Sequence, residues 1–150
     1  MKVFISGSIS IKKLPTTAIE IINNYVENGL TIFIGDAFGV DLSIQKYLAA
    51  SKYENIVIYY AGEIIRNNYG NWTTVNIKAL NNEKNRELFV LKDKQMSIDA
   101  DLGLMIWDGK SKGTLNNIRM MQVLGKPFKV IIDNIQIEDN KINHYIHPQK

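Results

Sequence analysis

Five short, nearly unbroken apolar runs, each followed by a turn and then mostly by helical periodicity, constrain this chain more than any other feature. They are Lys2-Val3-Phe4-Ile5-Ser6, Leu30-Thr31-Ile32-Phe33-Ile34, Ile56-Val57-Ile58-Tyr59-Tyr60, Leu102-Gly103-Leu104-Met105-Ile106-Trp107 and Phe128-Lys129-Val130-Ile131-Ile132. A strand with one wet face alternates apolar and polar residues. Runs without that alternation are covered on both faces, the condition of a parallel sheet sandwiched by helices. Between them, Ala18, Ile22, Tyr25 and Val26 form one helical stripe that stops at Gly29, and Ile44, Tyr47 and Leu48 form a second. Further helices are expected over 83–98 and over 114–124, the latter stopped by Gly125 and Pro127. Thr17-Ala18-Ile19-Glu20 reads as a capping box. The expectation is an α/β, Rossmann-like fold in one domain over 1–150. Its parallel five-stranded sheet, numbered along the chain, has the order 3-2-1-4-5 and helices on both faces. Ile135 and Ile137 can add a short edge strand, while residues 62–82 lack any period and read as a long functional loop.

Composition narrows the class. The chain has 150 residues, 45% hydrophobic and 22% charged, which excludes long disorder, collagen and coiled coil. It has no apolar run long enough for a membrane span, and Met1-Lys2-Val3-Phe4-Ile5 lacks the features of a signal peptide. Absence of cysteine removes disulfides, thiol nucleophiles and zinc–thiolate sites, and suits a cytoplasmic protein. Lysine far exceeds arginine, which reads as the codon bias of an AT-rich genome. The net charge of +3 is low enough to disfavour nucleic acid as a partner.

In a parallel sheet, ligands bind beyond the carboxyl ends of the strands where strand order reverses. Gly109-Lys110-Ser111 resembles the tail of a P-loop, but Leu104 stands where its first glycine belongs, and no G-x-G-x-x-G is present. His144 and His147 lie in the tail, and no spacing typical of metal ligands occurs elsewhere, so neither metal nor cofactor is expected. Two glycine-bearing loops remain, each ending a strand and opening a helix: Gly35-Asp36-Ala37-Phe38-Gly39 and Gly109-Lys110-Ser111-Lys112-Gly113-Thr114. Glycine allows close backbone approach and a helix N-terminus favours an anion, so together they suggest a phosphate-bearing ligand. Ser6-Gly7-Ser8, beside them in the expected strand order, and Arg66, Tyr69 and Trp72 in the long loop complete the candidate site. Trp72 can alternatively plug the core beneath that loop.

The same residues carry a family resemblance. Ile5-Ser6-Gly7-Ser8, Gly35-Asp36-Ala37-x-Gly39-x-Asp41, Lys92-Asp93-x-x-Met96 leading to Ala100-Asp101, Gly113-Thr114 and Gly125-Lys126-Pro127 resemble, in order and spacing, the SLOG superfamily. That group includes the Lonely-Guy-type phosphoribohydrolases, the DNA-processing protein A fold and the YspA-like proteins. The resemblance covers residues 2–132 and implies a nucleotide-binding Rossmann-like sheet. It departs at Asn117, where the hydrolases and the related deoxyribosyltransferases carry a glutamate, and at Lys92, where the hydrolases carry an arginine. An amide is neither nucleophile nor general base at neutral pH. The first expectation is therefore a binder of a nucleotide-derived signal, such as a cyclic nucleotide or ADP-ribose-like molecule, acting as sensor or sequestering protein. The alternative is an N-glycosidic-bond enzyme using a carboxylate among Asp36, Asp41, Glu63, Glu87 and Asp108. Single-stranded DNA binding, as in the DNA-processing protein, is a third reading that the low charge disfavours. Resembling families are commonly homodimers, and Leu88-Phe89-Val90-Leu91, too apolar for one buried stripe, marks its helix as the candidate interface.

Overall fold

The strands form because β-branched and aromatic residues recur where the chain is bounded by turns. Their side chains sort by type across the sheet. In a computed structural model describing residues 1–146, with His147 outside the described residues, β1 (Lys2–Gly7), β2 (Thr31–Gly35), β3 (Ile56–Ala61), β4 (Thr73–Ile77), β5 (Leu102–Ile106), β6 (Phe128–Ile132) and β7 (Ile135–Glu138) share one sheet. The helices are α1 (Thr16–Glu27), α2 (Val40–Ala50), α3 (Asn85–Asp99) and α4 (Lys112–Val123). On one face Val3, Ile5, Ile32, Ile34, Ile58, Leu104 and Ile106 pack with Ile22, Ile44 and Leu48 of α1 and α2. On the other, Phe4, Phe33, Tyr59, Met105 and Trp107 pack with Met96 of α3 and with Ile118 and Met121 of α4. The apolar runs thus conceal an alternation, aliphatic on one side and mostly aromatic or methionine on the other.

The order is β4-β3-β2-β1-β5-β6-β7. The five expected strands keep their expected order, and every pairing is parallel except β6 with β7. The sheet has seven strands rather than five, which corrects the count. β7 is the short edge strand suggested by Ile135 and Ile137. Its two-residue turn, Asp133-Asn134, has φ of 50° and 64°, as a type I′ hairpin requires. β4 lies within 62–82, where a loop was expected. As an edge strand with exposed or half-buried residues throughout, Thr73-Thr74-Val75-Asn76-Ile77 has no apolar run to announce it.

Two further expectations are corrected. The capping box does not form, because α1 begins at Thr16 and Thr17 is already its second residue. Asn134 Oδ1 accepts instead from the Thr17 N–H at 2.9 Å, and the Thr17 hydroxyl donates to the Asn134 carbonyl at 2.7 Å. The apolar run in α3 does not make a broad exposed face. Leu88 is buried, Phe89 is half-buried under the Arg66 guanidinium, and Val90 is the exposed member. No helix among the described residues is long and apolar enough to cross a membrane. His144 ends an exposed 3₁₀ turn, Asp139–His144, whose Ile142 is buried.

Asn134→Gly preserves the positive φ and deletes the cap, so it should cost about 1 kcal/mol and lower Tm by roughly 2–4 °C. An unchanged thermal melt would show that Asn134 does not stabilise α1.

Candidate functional site

Strand order reverses at β1, whose neighbours β2 and β5 lead to α2 on one face and α4 on the other. The resulting cleft is a cavity of about 290 Å³ beyond the carboxyl ends of β1, β2 and β5. On its α4 side, Ser8 Oγ lies 2.8 Å from Ser111 Oγ and 3.4 Å from Thr114 Oγ1, forming a trio of hydroxyls. Asp108 shapes this wall. Its Oδ1 accepts the N–H groups of Lys110 and Ser111 at 2.8 and 2.7 Å, and its Oδ2 accepts the Ser10 hydroxyl at 2.7 Å. Burial works to raise its pKa, but the bonds from Ser10, Ser111 and Lys110 outweigh this and hold it at about 2. Asp108 is a loop-shaping anion, with no proton to exchange near neutrality. No side chain caps α4, so its first turn opens on the cavity at Gly113 and Thr114 with unpaired donors.

The opposite wall is ionic. Asp36 is buried, and its carboxylate accepts the Arg66 N–H at 2.8 Å and Arg66 Nη2 at 2.7 Å, with Lys92 Nζ 3.7 Å away. Lys92 also lies 3.5 Å from Asp93 and lines the cavity. The Arg66 guanidinium lies 4.1 Å over the Phe89 ring. A Cβ on Gly35 would come within 2.6 Å of Asp41 Oδ2 and 2.7 Å of Lys92 Nζ, so only glycine lets these groups converge on β2. Burial pushes the Asp41 carboxyl up to about 7, with nearby Lys92 opposing the shift.

Of the expected residues, the structure brings Ser6, Gly7, Ser8, Gly35, Ala37 and Arg66 together around this cavity with Lys92, Asp108, Ser111, Gly113, Thr114 and Asn117. Asn117, where the resembling hydrolases carry a glutamate, donates to Ser6 Oγ at 2.7 Å and is buried, which commits its amide to holding β1 against α4. Asp36 lies beneath the lining and Gly39 is buried against Ile9, while Lys110 and Lys112 are exposed on the α4 loop outside it. Trp72 lies elsewhere, packed against the aliphatic core with its indole N–H on the Tyr53 carbonyl at 3.2 Å. Glu63 lines a separate cavity, and Glu87 is exposed in the first turn of α3. Phe89 and Asp93 also line the cleft and were missed. Their spacing with Lys92, at i, i+3 and i+4, is the helical signal that could have found them.

The fold is that of a Rossmann-like α/β protein with a cleft at its topological switch point. The structure is similar to that of DNA processing protein A from Helicobacter pylori, a protein that binds single-stranded DNA. The TM-score is 0.64 at 18% sequence identity, over 87% of this chain, which spans 65% of that one. The fold resemblance read from the sequence landmarks is borne out. No protein-family model and no curated protein matches the sequence. The expectation of a nucleotide-signal binder, or of an N-glycosidic enzyme in its place, is corrected by this neighbour, as is the expectation that nucleic acid is disfavoured as a partner. Net charge averages the whole surface, so a value of +3 does not describe the charge around any one cleft.

An Asp41 pKa of about 7, against about 3.9 unfolded, means that the folded chain holds an extra proton between these values. Stability should therefore fall as pH rises from about 4 to about 7 and level off above. Asp41→Asn keeps an acceptor for the Ala37 N–H and should flatten this dependence, stabilising the protein at pH 8 by roughly 1–4 kcal/mol. Urea titrations at several pH values read the effect, and a parallel pH profile for variant and parent would refute it.

Proposed function

We propose that the chain binds single-stranded DNA, seating a backbone phosphate in the cleft between the first turn of α4 and Lys92. One observation carries this reading: an uncapped helix N-terminus at Gly113–Thr114 shares a small cavity with the Lys92 ammonium and the Ser8–Ser111–Thr114 hydroxyls. Open N–H groups, helix dipole, hydroxyl donors and a cation are together the chemistry of an anion site. Lys110 and Lys112, exposed beside it, suit the phosphates on either side along a strand. The DNA binding of the structural neighbour supports the same reading. The low net charge is compatible with it, because single-strand binding draws on a local basic track and on stacking rather than on total charge. Deoxyribose and ribose strands share the phosphate chemistry, and only the latter presents a 2′-hydroxyl.

The test uses the open position at Gly113, where an added Cβ would meet nothing within 4 Å. Gly113→Glu therefore leaves the packing intact, and should favour the helix by about 0.5–1 kcal/mol, while placing a carboxylate in the phosphate site. Fluorescence anisotropy with a labelled oligothymidylate should show a loss of affinity of about tenfold or more, the scale of one charge-assisted bond. Parent binding should weaken with salt at a slope of about −0.7 per phosphate contacted. Equal binding by parent and variant would remove the phosphate from this cleft. Preference for an oligouridylate of the same length would identify RNA as the strand bound.

A further inference from the structure

A second and larger cavity, about 970 Å³, opens beyond the ends of β3 and β4 and against the first turns of α3. Arg66 and Phe89 line both cavities, so the two are divided by the thickness of one stacked side-chain pair. The first cavity, at about 290 Å³, lies at the small end of the usual range for ligand sites, roughly 300–1,000 Å³. It holds no more than about one nucleotide unit, so a strand seated there must continue outside it. The larger cavity offers what the next unit needs. Tyr60 and Phe89 present aromatic surface, Lys78 is an exposed cation, and Asn85 provides an amide able to donate and accept. Asn76, also in the lining, donates to the Gly62 carbonyl at 2.7 Å, a bond that leaves its side-chain oxygen free to accept. Ile64 and Leu80, large apolar residues exposed by 80% and 81%, flank this part of the surface.

Resting on the single-strand reading above, we infer that this cavity is a second subsite of the same track. It takes the nucleotide that follows the one in the cleft, with its base against Phe89 and Tyr60 and its phosphate near Lys78. Arg66 serves both subsites, held by Asp36 on one side while its guanidinium lies over Phe89. Sequence preference at this subsite would come from the Asn76 and Asn85 amides. The first cleft instead presents hydroxyls, backbone and charges suited to a phosphate.

The experiment compares labelled oligothymidylates from about two to about twelve nucleotides, spanning much of the usual range of single-strand site sizes. Lys78→Glu reverses the cation, and Asn85→Trp fills the cavity from an exposed helical position, with thermal melts confirming that both variants fold. With the parent protein, affinity should rise steeply once the oligonucleotide reaches both subsites. Both variants should lose about tenfold for the longer oligonucleotides while binding the shortest as the parent does. Lys78→Glu should also lower the salt slope by about 0.7. If both variants bind the longer strands like the parent while Gly113→Glu still weakens them, the second subsite is overturned and the cleft assignment stands. If the parent binds no strand of any length, both readings fall.

Discussion

The carboxylate of Asp36, almost wholly removed from water, ties two separate segments, the β3–β4 crossover and α3, to the end of β2. It accepts two bonds from Arg66 and faces Lys92 of α3, while its own backbone carbonyl accepts Asn67 Nδ2 at 2.8 Å. Gln45, also buried, completes the arrangement, donating to the carbonyls of Gly35 and Asn67 and accepting the Tyr69 N–H. The crossover from β3 to β4, residues 62–72, contains no helix, and these polar bonds order much of it. A buried ion pair adds little net stability over an apolar substitute. Removing one partner, however, strands the other charge at a cost of about 3–5 kcal/mol. Arg66 is thereby fixed over Phe89, Lys92 is fixed in the cleft, and the division between the two cavities follows.

Much of the fold was legible because both-face burial writes itself into sequence as unbroken apolar runs, and the five strands so marked took their expected order. β4 was hidden for the converse reason, since an edge strand needs neither a continuous run nor a buried face. The start of α1 was misread because its cap comes from Asn134, more than a hundred residues away, and no local pattern encodes a cap supplied by tertiary structure. Site legibility divides in the same way. The glycine-bearing loops could be placed from turn chemistry and strand order, whereas Trp72 was ambiguous until its indole was seen bonded to Tyr53. Phe89 was legible as apolar but not as a partner of Arg66, because a contact between a crossover and a helix has no period.

Net charge says little about what the cleft can hold, for a reason that its own side chains make concrete. Four carboxylates, Asp36, Asp41, Asp93 and Asp108, lie in or directly beneath it, which on a count of charges would repel a phosphate. Their environments remove most of that repulsion. Asp36 is covered by Arg66 and Lys92, and Asp108 has its charge spread over donors from Ser10, Lys110 and Ser111. Burial pushes the Asp41 carboxyl up to about 7, which weakens its charge relative to an ordinary carboxylate, and Asp93 lies 3.5 Å from Lys92. What faces an incoming anion is therefore the uncapped turn of α4, the hydroxyl trio and the flanking lysines. Each carboxylate serves instead to hold a loop or a cation in position, and the cleft can be rich in acid yet suited to an anion. The same bookkeeping separates this cleft from a glycosidic active site. Asp36 and Asp93 are paired with cations and Asp108 is saturated with donors, while the position where the resembling hydrolases carry a glutamate holds Asn117, fastened to Ser6.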